Sequence, residues 1–147
     1  MSEKDFPKGI EVVTTGFVKK GNKILLAKSD KWSDTWVLPG GHIEPGESIL
    51  KSCERETEEE LGLKLEAIEI INWGEAILKK EFYRSAHFIY FDVLFEIEEG
   101  EDVVKLQESE LSEYDWFTVE EALNLNMYDV FKEKIRAYQQ YMTDKGK

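Results

Sequence analysis

The chain has 147 residues, of which 41% are hydrophobic and 12% aromatic, so one domain over 1–147 with a real core is expected and a disordered polymer is excluded. Its formal net charge is −12, and Lys19 with Lys20 and Lys79 with Lys80 are isolated basic dipeptides, so neither a nucleic-acid nor a membrane surface is expected. A polar start over residues 1–9, no apolar run of roughly 20 residues and a lone Cys53 argue against a secretory leader, a membrane span, an internal disulfide and a cysteine-rich zinc site, and lead to the expectation of a cytoplasmic protein.

Residues 10–19 are rich in β-branched side chains and predict a strand. Gly21 with Asn22 predicts a turn, and residues 23–28 the returning arm of a hairpin. Residues 29–35 are polar apart from Trp32 and read as a loop; 36–38 read as a short strand that ends in a turn at Pro39, Gly40 and Gly41. Ser48 is placed to cap a helix running to about Leu61, and Gly62 stands where a left-handed residue stops one. Residues 65–73 predict a strand, and 82–97, too aromatic and β-branched for a helix, one long central strand. Residues 98–109 read as an acidic loop and 114–117 as a short strand. Thr118 with Glu121 is a capping box, and Phe131, Ile135, Tyr138 and Met142 recur at helical spacing to predict an amphipathic C-terminal helix. A mixed sheet with one helix in mid-chain and helices at its end is an α+β or α/β/α layered domain.

The predicted mid-chain helix carries Glu54, Glu56, Glu58, Glu59 and Glu60, interrupted only by Arg55 and Thr57. Like charges at i,i+4 destabilise a helix by a few tenths of a kcal/mol, so such a cluster calls for a cation. Glu56, Glu59 and Glu60 share one face at i,i+3 and i,i+4 spacing, beside the packing face of Leu50, Cys53, Thr57 and Leu61. Glu54 and Glu58 point elsewhere and read as solvated charge. Hard ions such as Mg²⁺ and Mn²⁺ take oxygen ligands, and the Gly40–Gly41 backbone can add a carbonyl because glycine permits close approach. Arg55 is placed to pair with Glu47 or Glu56 and orient a carboxylate.

Residues 41–63 resemble the signature box of the Nudix hydrolases, G-x5-E-x7-R-E-U-x-E-E-x-G-U, where U is a bulky aliphatic residue. Gly41, Glu47, Arg55, Glu56, Glu59, Glu60, Gly62 and Leu63 stand at matching positions; Thr57 at the first U departs mildly and retains a β-branched shape. The order of the flanking elements is also similar to the family. The resemblance implies an α/β/α Nudix sandwich, a mixed sheet with the box helix packed on it. It also implies hydrolysis of a nucleoside diphosphate derivative by water at phosphorus, with divalent ions. By the same resemblance Glu56, Glu59 and Glu60 are metal ligands, Gly40 adds its carbonyl, and Arg55 and Glu47 orient them. The base is one of the helix carboxylates or a late-loop acid among Glu108, Glu110, Glu113 and Asp115, with Glu110 and Glu113 preferred. A nucleotide-sensing domain of the same fold without turnover is the alternative, although no box carboxylate is lost.

Outside the box, Trp32 can stack on a base, whereas Trp36 reads as a plug for the sheet; Lys28 and Arg84 can meet phosphates, although a sheet-surface ion pair is the favoured reading of Arg84. His42 reads as a loop residue, His87 as a core or rim histidine, and Cys53 as inert. No proline follows Pro45, as the ADP-ribose subgroup would show, and Lys79, Lys80 and Glu81 occupy the zone where the dinucleoside polyphosphate subgroup carries a tyrosine. The arginine pattern of the coenzyme A subgroup is absent before the box. A nucleoside triphosphate or nucleotide-sugar type substrate remains, with the protein a monomer or a homodimer.

Overall fold

Strand β1 (Ile10–Lys20) turns at Gly21 into β2 (Lys23–Ser29), with Lys20 opposite Lys23, as the glycine-asparagine signal requires. The computed structural model describes residues 6–32, 34–79, 84–100, 104–107 and 111–146. Beyond the hairpin end the two arms separate. β2 takes β3 (Thr35–Val37) and β1 takes β4 (Gly40–His42), so residues 38–39 carry the chain across the gap between them. The expected turn at Gly40 and Gly41 is therefore strand, antiparallel to Val13, Thr14 and Thr15. Glycine is needed because a Cβ on Gly40 would lie 2.0 Å from the Thr14 carbonyl oxygen.

The described strands form one mixed sheet in the order β3-β2-β1-β6-β5, with β4 on β1 and β7 (Glu113–Phe117) on β2. β6 (Ala86–Glu96) runs parallel to β1, and β5 (Glu69–Leu78) pairs antiparallel with β6. β5 begins later than the 65–73 expectation. The backbone N–H of Ala67 instead donates to Glu54, and Leu65 and Ala67 pack against the core as loop. β6 begins at Ala86 rather than at 82; Phe82 and Tyr83 lie outside the described residues.

Helices cover the two faces. Helix α1 (Ile49–Leu61) lays Cys53 and Thr57 over Gly16 and Phe95. It is capped by Ser48, whose hydroxyl accepts from the Lys51 N–H, and it ends at Gly62 with φ of 69°. Thr57 is fully buried there, with its hydroxyl 3.4 Å from where a Gly16 Cβ would stand, so a short side chain facing a glycine lets the helix sit close to β1. On the opposite face lie α2 (Val119–Leu123), with the Thr118–Glu121 capping box formed, and α3 (Asp129–Lys145). Tyr138 of α3 stacks on Phe17 at 4.8 Å. Thr15 and Phe17 thus face α3 while Gly16 faces α1, the alternation a strand imposes and the signature of an α/β/α sandwich.

Candidate active site

α1 places its glutamates as its period dictates. Glu60 is only 8% exposed and accepts from the Gly40 N–H at 3.0 Å. In an antiparallel strand a residue's N–H and C=O lie on the same edge. The Gly40 carbonyl is therefore directed away from β1, the side on which α1 lies, as the neighbouring His42 carbonyl is, accepting from Arg55 and Ser52. Gly41 supports Glu56: a Cβ there would come within 2.4 Å of its carboxyl carbon. Glu59 is half-exposed on the same face.

Arg55 joins the cluster. Its Nε and Nη2 grip Glu47 at 2.7 and 3.0 Å, and its Nη1 donates to Glu56 at 3.0 Å and to Glu59 at 3.2 Å. The bidentate grip, helped by the Glu44 N–H, lowers the Glu47 carboxyl to about 2. Burial raises the Glu56 carboxyl despite Arg55, with Glu59 adding repulsion. Glu54, expected as solvated charge, instead accepts from the Ala67 N–H at 2.8 Å and pairs with Lys51, tying down the chain that leaves the helix.

A cavity of about 450 Å³ opens beside this face. Glu56, Glu59, Glu60 and Gly40 stand on its wall, and Trp32, Arg84, Phe88 and Tyr90 extend it across the sheet. That volume is within the usual range for small-molecule sites. Of the expected substrate residues, the structure brings Trp32 and Arg84 to this cavity. Trp32 also packs on Tyr128 and Phe131. Both Arg84 terminal nitrogens meet Glu11 at 2.7 Å. Lys28 does not line the cavity; it pairs with Glu113 at 3.2 Å, its neighbour across the β2–β7 ladder. Gln107 and Leu111 line the cavity, while Glu108 and Glu110 between them lie outside the described residues. Trp36 packs edge-on against Phe117 as a plug. Burial pushes the Cys53 thiol up to about 12, so it is inert at neutral pH.

The donors at the wall are carboxylates and a carbonyl, the hard oxygen set that Mg²⁺ and Mn²⁺ prefer. Glu47, Glu56 and Glu59 share the Arg55 guanidinium and Glu60 stands beside them on the Gly40 N–H, so carboxylates outnumber the cation among them and a metal ion would offset the excess. Among the described residues, however, no three His, Cys, Asp or Glu side chains converge closely enough to hold an ion as they stand. Arg55 holds Glu56 and Glu59, and Gly40 holds Glu60. An ion would have to draw the carboxylates inward, which the soft terminal torsion of glutamate permits.

Several buried polar residues escaped the sequence reading. Glu11 is buried and bonds both Arg84 and His42, the latter at 2.7 Å, so His42 belongs to a strand and a hydrogen-bond network rather than to a loop. Burial opposes charge on Glu11, and the bonds to Arg84 and His42 prevail, holding its carboxyl below the usual value. Under the cavity, Lys134 donates to the Thr15 hydroxyl at 2.6 Å, lies 3.5 Å from Asp92 and sits 3.6 Å above the centre of the Tyr90 ring. Burial raises Asp92 and lowers Lys134. Their sequence signals were an Asp inside an apolar run and a Lys at i+3 from Phe131 on the apolar stripe of α3.

A family model described as NUDIX domain matches residues 9–139. Nudix hydrolase 6 of Arabidopsis thaliana is 33% identical over 110 residues, covering 72% of this chain but only 38% of the plant protein's own length. RNA pyrophosphohydrolase of Pelagibacter ubique is 27% identical over 138 residues, 81% of this chain and 86% of that one. The crystal structure of the MutT NUDIX hydrolase from Burkholderia pseudomallei superposes with a TM-score of 0.75 at 21% identity, over 87% of this chain and 97% of that one, and shows the shared fold.

Proposed function

This chain belongs to the Nudix hydrolase family, and on that premise we propose that it cleaves a diphosphate bond in a nucleoside diphosphate derivative, of nucleoside triphosphate or nucleotide-sugar type, by attack of water at phosphorus. The observation that carries this reading is Glu60. A glutamate 8% exposed, bonded to the Gly40 N–H on the wall of a 450 Å³ cavity with Glu56 and Glu59 beside it, has a location that solvated charge does not need. Mg²⁺, with Mn²⁺ as a substitute, would neutralise the diphosphate, lower the pKa of the attacking water and stabilise the leaving oxygen.

Glu56, Glu59 and Glu60 would hold the ion, with the Gly40 carbonyl as a neutral donor. Were Glu56 and Glu59 to turn inward, Arg55 would still be held by its bidentate contact with Glu47, which anchors it to the chain before the helix. The proton of the attacking water goes to a carboxylate: one of Glu56, Glu59 and Glu60, or a late-loop acid, Glu110 or Glu113. Glu113 is engaged by Lys28 away from the cavity wall, which ranks it behind the helix glutamates. Trp32 offers a flat apolar face for a base, and Arg84, steadied by Glu11, a donor for phosphate oxygens. Lys28 could reach phosphates only from outside the cavity. The reading is of a single domain over 1–147 acting on a small nucleotide in the cytoplasm.

The test is turnover of a panel of nucleoside di- and triphosphate derivatives, with products separated and phosphate distinguished from pyrophosphate. Nucleoside monophosphate release is expected with Mg²⁺, abolished by chelation and restored by Mg²⁺ or Mn²⁺. Glu59→Gln and Glu60→Gln should each lose at least 100-fold in kcat with the fold intact by circular dichroism. Wild-type rates in either variant would overturn the ligand assignment. No turnover across the panel, with a nucleotide raising the melting temperature, would replace the reading by that of a sensing domain.

A further inference from the structure

We infer that Lys134 is a specificity-determining residue, which selects the base of the nucleotide by donating to a carbonyl oxygen on the edge farthest from the sugar. The inference rests on the hydrolase reading above and says which bases that site would take. Val130, Phe131 and Lys134 share one face of α3, and all three line the cavity. Phe88 and Tyr90 of β6 line it from the sheet, and Trp32 closes the side, its ring 4.8 Å from that of Phe131. This arm of the cavity lies between α3 and the sheet, on the face opposite α1 and its carboxylates. A diphosphate belongs with a cation at the carboxylate wall, so the arm would receive the other end of the nucleotide. Aromatic rings suit a flat base and offer a desolvated phosphate no donor.

Lys134 is only 4% exposed, and an ammonium carries three N–H donors. One donor goes to the Thr15 hydroxyl at 2.6 Å. Asp92 balances the charge from 3.5 Å, beyond ordinary hydrogen-bond length. The centre of the Tyr90 ring lies 3.6 Å from the nitrogen, and its face favours a cation there. Gly74 makes that position available, because a Cβ on it would stand 2.5 Å from the Tyr90 hydroxyl oxygen. Burial works against the charge on Lys134, and Asp92 works for it. Among the described residues this buried ammonium therefore makes one hydrogen bond beside an open cavity, and a buried donor so short of acceptors calls for another. Asn72 donates to Asp92 at 3.0 Å, so Asp92 and Thr15 fix the ammonium from the sheet side. An ammonium cannot accept a hydrogen bond. It bonds a carbonyl oxygen and repels an amino group, whose N–H bonds would point at it. Guanine, hypoxanthine and uracil carry a carbonyl where adenine and cytosine carry an amino group.

The experiment compares inosine with adenosine 5′-triphosphate and uridine with cytidine 5′-triphosphate on the full chain. In each pair kcat/KM should favour the carbonyl member by at least about tenfold. Calorimetric binding of the four corresponding monophosphates, which needs no turnover, should show the same order. Lys134→Met combined with Asp92→Asn removes both charges of the pair together and keeps the fold, which a melting curve checks. In that variant both ratios should fall to within about threefold of unity. Equal turnover and equal binding within each pair by the wild type would overturn this inference and leave the hydrolase reading standing. Selective monophosphate binding without turnover would support this inference and overturn that reading. Neither binding nor turnover of any of them would overturn both. A double variant that loses activity on all four triphosphates equally, with the wild-type ratios kept, would show Lys134 to be merely structural and overturn its role in selection.

Discussion

Replacing Gly40 and Gly41 by alanine, one at a time, should damage the protein in two different ways. A Cβ on Gly40 would stand 2.0 Å from the Thr14 carbonyl oxygen and 3.0 Å from the Thr15 Cα, all backbone of β1. Ordinary contact begins more than an ångström further out, so β4 must move off β1. That shift strains the 2.7 Å bond from the Gly16 N–H to the Pro39 carbonyl and the bond from the Gly40 N–H to Glu60. Overpacking of this kind costs about 1–3 kcal/mol, and a lost hydrogen bond about another 1 kcal/mol. Gly40→Ala should therefore lose ~3 kcal/mol, a fall in melting temperature of roughly 6–12 °C for a chain of 147 residues. At Gly41 the obstacle is the Glu56 carboxyl group, 2.4 Å from the added carbon and at the far end of a flexible side chain. That carboxylate can swing aside cheaply, so Gly41→Ala should melt within about 3 °C of wild type. It should nevertheless lose at least tenfold in kcat/KM, because Glu56 no longer occupies its place at the wall. Thermal melts by circular dichroism, alongside monophosphate release, read both numbers. A Gly41→Ala variant with wild-type activity would refute the role given to the Glu56 position. A Gly40→Ala variant with wild-type melting would refute the close strand approach.

Further outcomes follow from the charged groups. Glu47 has its folded pKa depressed to about 2 from an ordinary 4.5, so the stability it contributes is present above pH 4.5 and lost as pH falls toward 2. The stability difference between wild type and Glu47→Gln should shrink across that window in an acid titration; a constant difference would count against the Arg55 grip. Lys134→Met should destabilise by about 3–5 kcal/mol in urea unfolding, because fully buried Asp92 loses its cation, and adding Asp92→Asn should recover at least half. Indifference to Lys134→Met would show the pair to be inconsequential. Thr118→Ala should cost about 1 kcal/mol by removing the α2 cap that accepts from the Glu121 N–H, measured the same way.

Local chemistry made much of this protein legible. Gly21 with Asn22 can only turn, Ser48 and Gly62 bound α1, and Thr118 with Glu121 starts α2, because each signal acts within a few residues of itself. The errors have the same origin. Gly40 and Gly41 read as a turn because glycine pairs usually do, yet they are glycine because β1 and the Glu56 side chain press against them from distant parts of the chain. β5 starts later than the local pattern suggests, because Leu65 and Ala67 look like strand while Glu54 holds the Ala67 backbone as loop.

The acidic face of α1 follows from its residues alone, since the helical period places Glu56, Glu59 and Glu60 together whatever surrounds them, and Arg55 and Glu47 stand within reach by spacing. Which of those charges is buried, and what each touches, is set by how the elements pack. Packing puts the Gly40 N–H on Glu60, sends Glu54 to a backbone amide, and pairs Lys134 with Asp92 across 42 positions of chain and Arg84 with Glu11 across 73. The physical reason is that periodicity is a property of one element. Desolvation and ion pairing depend on which elements the sheet brings face to face, and no single element carries that information.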